Sequence, residues 1–210
     1  MNVIPVTLSQ GSPPRPAQAL LQVDLNGKDF QHIESCWQAD RDRIAQELEA
    51  QQIPPWEYPE TLGWRWGNLA LNLRLLECEG YGIRAKDNWQ GAMLLKTRSM
   101  HCKLVSQQGE ELIYGAYLES APWNWTVPQI GQIPEYKLIA TQLIRAAITR
   151  SLGMGSKGRI GLHALPTAEG LYRRFGFSEL GEDPDYDDLV YFESTPAQAQ
   201  SFLMATGGQP

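Results

Sequence analysis

The chain has 210 residues, a formal net charge of −6 and 42% hydrophobic residues. This length can bury one sizeable core, and an acidic balance with no basic run argues against a broad nucleic-acid footprint. Cys36, Cys78 and Cys102 are too widely spaced for a disulfide framework or a Cys-x-x-Cys site, and no leader pattern or bilayer-length apolar run is present, so a cytoplasmic chain without membrane contact is expected.

Met1 to Leu8 alternates partly and reads as an edge strand or an ordered arm, and Pro13, Pro14 and Pro16 then interrupt regular structure. Leu20 to Leu25 reads as a strand, with a turn at Asn26-Gly27. Ser35 is placed to cap a helix running to about Gln52. Trp37, Ile44 and Leu48 lie on its apolar face, while Asp40, Arg41, Asp42, Arg43, Glu47 and Glu49 are assigned to water. Pro54 and Pro55 end that helix. Thr61 to Cys78 has leucines at both helical and alternating spacing, and its length favours a helix.

Gly80 and Gly82 mark a switch to strands. Tyr81 to Ala85 and Gln90 to Thr97 flank Lys86-Asp87-Asn88-Trp89, a hairpin signal. Met100 to Val105 and Glu111 to Glu119 flank Ser106-Gln107-Gln108-Gly109, a second one. Regular pairing is expected to end near Pro122. Tyr136 to Leu152 reads as a helix with Ile139, Leu143 and Ala147 in line, followed by an exit turn over Gly153 to Gly158. Arg159 to Leu165 reads as a central strand, and Pro166 opens a short helix, Thr167 to Phe175. Gly181 to Asp188 reads as a carboxylate-rich loop and Leu189 to Phe192 as a closing strand. Beyond them lie a short helix around Phe202 and a fraying Gly-Gly end.

The meander, helix, strand and short helix ending in Ala168-Glu169-Gly170-Leu171-Tyr172-Arg173-Arg174-Phe175-Gly176-Phe177 resemble the GCN5-related N-acetyltransferase (GNAT) superfamily. The resemblance covers about Tyr81 to Phe192 and weakens before Leu62. It implies a mixed α/β fold of the α+β class. Its sheet would be twisted and mostly antiparallel, with helices on both faces and a parallel strand pair splayed at a cofactor cleft. Residues 1–194 would form a single domain with an N-terminal helical portion, and residues 195–210 a C-terminal tail.

By this resemblance the chain would be an acyl-CoA-dependent N-acyltransferase. It would move acetyl from acetyl-CoA, its cosubstrate, to a primary amine by direct attack in a ternary complex. No cysteine or serine lies beside an evident base for a covalent route. The alternative class is a binding or regulatory module that keeps the fold without catalysis. The acceptor would be a small molecule or a protein, with an aminoacylated RNA disfavoured by the acidic balance; a homodimer is compatible with this reading.

Tyr172 would protonate the leaving thiolate; a core-edge tyrosine is the plain alternative. Glu119 would accept the amine proton through water, against the alternative of a solvent-facing strand end. The backbone of Leu118 and Ala121 would pair with the pantetheine arm, and the Ala121 amide would polarise the thioester carbonyl. The resemblance places the diphosphate on the amides of Leu138, Ile139, Ala140 and Thr141, with Lys157 near its phosphates. Two departures stand out. Leu138 occupies a usual glycine position, with Glu135 where Gln or Arg is common, and Leu165 replaces a usual Asn. Trp123, Asn124 and Trp125 would roof the acceptor pocket, with Trp66 opposite and Asp185 attracting a cationic amine. His163 reads as a packed, hydrogen-bonded residue, and no metal site is expected.

Overall fold

The structure, a computed structural model, describes residues 3–207. In chain order its elements are β1 (Val3–Gln10), β2 (Arg15–Leu25), α1 (Gly27–Ala50), α2 (Trp66–Leu69), β3 (Cys78–Ala85), β4 (Asn88–Lys96), β5 (Ile113–Ser120), β6 (Tyr136–Lys137), α3 (Ile139–Gly153), β7 (Ile160–Ala164), α4 (Pro166–Arg174), β8 (Ser178–Asp183), β9 (Leu189–Glu193) and α5 (Pro196–Thr206). The strands pair in the order β6-β1-β2-β3-β4-β5-β7-β9-β8. Among the described residues the sheet is mostly antiparallel, and β5 and β7 run parallel. This is the expected α+β class. The chain divides into two compact units, Met1–Met93 with Leu118–Leu143 and Leu94–Tyr117 with Ile144–Pro210.

In the first unit, α1 starts well before Ser35. The Asn26 side chain accepts from Lys28 N (2.8 Å) while Asp29 Oδ2 accepts from Asn26 N (2.8 Å), a capping box that turns the expected Asn26-Gly27 turn into a helix start. Phe30, Ile33, Trp37, Arg41, Ile44 and Leu48 recur at three- and four-residue steps and are buried. Arg41, assigned to water above, therefore lies in the buried stripe.

The β2 strand extends back through Pro16, which sits opposite Ser9. The expected Thr61–Cys78 helix is replaced by the short α2 and a 3-10 turn over Ala70–Arg74. Only one face of this segment is covered, and Leu71, Leu75 and Leu76 are exposed. The β3–β4 hairpin turns on Lys86 and Asp87, both at positive φ, as a two-residue turn needs. At Gly91 a Cβ would overlap Ile139 Cγ2 and lie 3.1 Å from Glu119 O, so glycine lets the start of α3 press onto β4.

In the second unit, the parallel register runs Ile113↔Ile160, Tyr114↔Gly161 and Gly115↔Leu162. β7 continues through His163 and Ala164, which pair with β9. The expected strand Met100–Val105 does not form. His101 makes an isolated bridge to Glu111, and the segment is tied instead to the buried Glu193, which accepts from Lys103 N (2.7 Å) and Gln107 Nε2 (2.7 Å). Gly181 to Asp183, expected in a loop, belong to β8. Residues 196–206 of the expected tail are helical. Thr195 and Gln198 form a capping box, and Phe202 packs on Phe175 at 4.7 Å. The first two residues of the expected Met1–Leu8 strand, and Gly208 of the Gly-Gly end, lie outside the described residues.

Candidate functional site

Glu119 is the penultimate residue of β5 and is 3% exposed. Its Oε2 accepts from Arg41 Nη2 (2.7 Å) and from Trp66 Nε1 (2.5 Å). Arg41 Nη1 donates to Trp64 O, and Glu34 lies 3.8 Å from both Arg41 and Arg65. Burial pushes the Glu119 carboxyl up to about 7. Arg41 is the main opposing influence, and Trp66 and Thr61 also favour the charged form. Even so, Glu119 Oε1 and Arg41 Nε meet no partner at hydrogen-bond geometry. Glu119 is thus a buried, ion-paired carboxylate and not a solvent-facing strand end.

Trp66 is fully buried, edge-on to Phe30 (4.9 Å) and Trp37 (6.2 Å), so it belongs to the core and not to an open pocket wall. Arg41 could have been found in the sequence, because it falls four residues after Trp37 and three before Ile44.

The loop from β5 to α3 is built around Gln90. Ala121 N donates to Gln90 O (2.9 Å), so that amide is committed within the fold and is not free to polarise a thioester carbonyl. Asn124 is buried. Its Nδ2 donates to Gln90 Oε1 (3.0 Å) and its Oδ1 accepts from Tyr136 N (2.8 Å), which makes it a loop staple and not a free substrate contact. Trp125 Nε1 donates to Ser120 O (2.9 Å), and its ring packs on the cluster of Ile44, Leu48 and Val127. Trp123 Nε1 donates to Gln90 Oε1 (2.8 Å), and the residue lines a polar cleft with Cys36, Asp40, Asn88 and Glu135.

Leu138, immediately before α3, has φ 71 and is half exposed. This left-handed conformation costs an ordinary L-residue about 1–2 kcal/mol and suits glycine. Gln142 N donates to Leu138 O (3.0 Å), opening the helical ladder, so the amides of Ile139, Ala140 and Thr141 precede it. Gln142 Nε2 anchors this first turn to Thr7 O (3.1 Å). The carboxylate of Glu135 accepts from Gln10 Nε2 (3.1 Å) at the end of β1.

In the second unit, Tyr172 on α4 is buried against Phe175 (6.1 Å), Phe177 (6.1 Å) and Phe192 (5.7 Å). Burial raises it above an ordinary phenol, so it keeps its proton through the neutral range. Leu165 precedes α4 in extended conformation and supplies no side-chain cap. Lys157 is an exposed left-handed residue of the exit turn.

A cluster that the sequence does not reveal surrounds His163. Tyr114 Oη lies 2.8 Å from Nδ1, Asp183 Oδ2 lies 2.9 Å from Nε2, and Tyr186 stacks on the ring at 3.9 Å. Lys103 pairs with the same Asp183 oxygen (2.5 Å). Burial lowers His163 despite Asp183, while Lys103 and His163 hold Asp183 down to about 2. Asp185 is exposed in the neighbouring turn, its amide donating to Asp183 Oδ1 (3.2 Å). Among the described residues no group of three or more His, Cys, Asp or Glu is arranged to hold a metal, and no helix is long and apolar enough to cross a membrane.

No family model and no curated protein matches this sequence. Solved structures do. An acetyltransferase of the GNAT family from Listeria monocytogenes 4b F2365 superposes with TM-score 0.53 at 14% identity, over 90% of this chain and 99% of that one. FeeM, an N-acyl amino acid synthase from uncultured soil microbes, gives TM-score 0.54 at 13% identity over 89% and 96%. A structure described as a bacterial toxin gives 0.53 at 16% identity over 73% and 85%. At such identities the likeness is one of fold.

Proposed function

We propose, from the GCN5-related N-acetyltransferase fold that this chain has, that it is an acyl-CoA-dependent N-acyltransferase carrying acetyl from acetyl-CoA to a primary amine. The observation that carries the reading is Leu138. A leucine held at φ 71 keeps the backbone path of a glycine, and the amides of Ile139, Ala140 and Thr141 follow it unpaired by the helix. Such a row of N–H groups suits a diphosphate. The backbone of β5 near Leu118 would run beside the pantetheine arm.

In the reaction the neutral amine nitrogen attacks the thioester carbonyl carbon, and the carbon–sulfur bond breaks. Glu119 takes the amine proton and Tyr172 gives its own to the departing thiolate. Protons balance when Glu119 releases the proton it took to solvent and Tyr172 takes one back. Trp123 and Asp185 are the side chains proposed to meet the acceptor, a small molecule or a protein.

The committed Ala121 amide and the loss of a polar residue at Leu165 favour the second reading, a binding module without turnover. The test is incubation of the full chain with acetyl-CoA and a panel of primary amines, read by mass spectrometry. An acetylated amine with an equal amount of free CoA is expected. Bound CoA with no product from any amine would favour the second reading.

A further inference from the structure

We propose that Arg41 and Trp66 are positioning residues. They hold the Glu119 carboxylate by Oε2 and so reserve Oε1 as the atom that takes the acceptor amine's proton. The role rests on the acyltransfer reading above. Both donors converge on one oxygen, Arg41 Nη2 at 2.7 Å and Trp66 Nε1 at 2.5 Å, while Oε1 of the same buried carboxylate meets no partner at hydrogen-bond geometry, with the Thr61 side chain as a further polar neighbour of the carboxylate. A buried polar atom without a partner is costly, and native folds retain few of them.

The hold is itself braced from two sides. Arg41 Nη1 donates to Trp64 O, which fixes the guanidinium in its plane, and the indole of Trp66 is clamped edge-on between Phe30 and Trp37. The carboxylate therefore cannot swing to share its donors between both oxygens without breaking one of these contacts. The other charged groups nearby are Glu34 and Arg65, and Thr61 is the additional polar neighbour.

An inert ion pair would make the same contacts, so the test needs a readout that such a pair would not move. Glu119 protonation is followed on the full chain by difference infrared spectroscopy across pH, with Glu119→Gln identifying the carboxyl band. In parallel, kcat/KM is measured across pH with acetyl-CoA and whichever primary amine the panel shows to be turned over. Arg41→Met is expected to raise the infrared midpoint by about 1–3 pH units, the effect of losing an opposite charge at this distance. The low-pH limb of kcat/KM should rise with it, and Trp66→Phe should move both in the same direction by less. Trp66→Phe also keeps the test alive if Arg41→Met fails to fold.

An infrared midpoint unmoved by either substitution overturns the hold. A midpoint that moves while the kcat/KM limb stays put overturns the catalytic role and leaves a structural ion pair. Absence of turnover with every amine, while the midpoint still shifts, overturns the acyltransfer reading and leaves the hold standing.

Discussion

Replacing Glu119 by Gln should change how stability depends on pH. Burial raises this carboxyl from 4.5 to about 7 in the fold. Between those values the folded chain keeps a proton that the unfolded chain gives up, so stability is fully present below about 4.5 and is lost as pH rises through about 7. At about 1.4 kcal/mol per pH unit, the shift corresponds to about 3 kcal/mol. Glutamine resembles the protonated acid and does not titrate. Urea unfolding followed by tryptophan fluorescence at several values between about pH 4.5 and 8 measures the difference. The stability of Glu119→Gln relative to the parent chain should climb by about 3 kcal/mol across that range. Parallel curves, or a parent chain that gains stability relative to the variant as pH rises, would refute the reasoning.

Tyr172→Phe should lower turnover sharply and leave acetyl-CoA affinity nearly unchanged, because only the hydroxyl is lost from an otherwise packed ring; stopped assays and calorimetry separate the two effects. Gly91→Ala should destabilise the chain by about 1–3 kcal/mol in denaturant melts, since its Cβ would overlap Ile139 and crowd Glu119 O. Asp183→Asn should lower the NMR titration midpoint of His163 further, because the carboxylate is the main influence raising it against burial. A midpoint that rises instead would contradict the assigned contact.

What the sequence made legible follows physical simplicity. α3, β7 and α4 each carry one uninterrupted signal: a helical stripe, a short apolar run, and a Pro-opened helix with aromatics on one face. Local periodicity suffices for these, save that Tyr136 and Lys137, expected in the helix, pair with β1 as β6, so that α3 starts at Ile139. It fails where a distant partner decides the outcome.

Thr61 to Cys78 has enough leucines for a helix, but its conformation is set by Trp66 reaching Phe30 and Glu119. Met100 to Val105 alternates well enough for a strand, yet Glu193 captures its amides. The start of α1 is legible in Asn26 and Asp29, three residues apart, whose capping box outweighs the Asn-Gly turn signal. Of the residues proposed for function, Glu119, Tyr172 and Leu138 could be singled out in the sequence. Arg41 hid among its charged neighbours, and the Tyr114–His163–Asp183 cluster needed three strands to bring it together.

The most direct test of the acyltransferase reading is titration calorimetry of acetyl-CoA into the full chain. If the left-handed Leu138 presents its neighbouring amides to a diphosphate, saturable binding with a dissociation constant below about 1 mM is expected, and Leu138→Gly should retain it. No saturable heat at that concentration, for the parent chain or for Leu138→Gly, would contradict the reading.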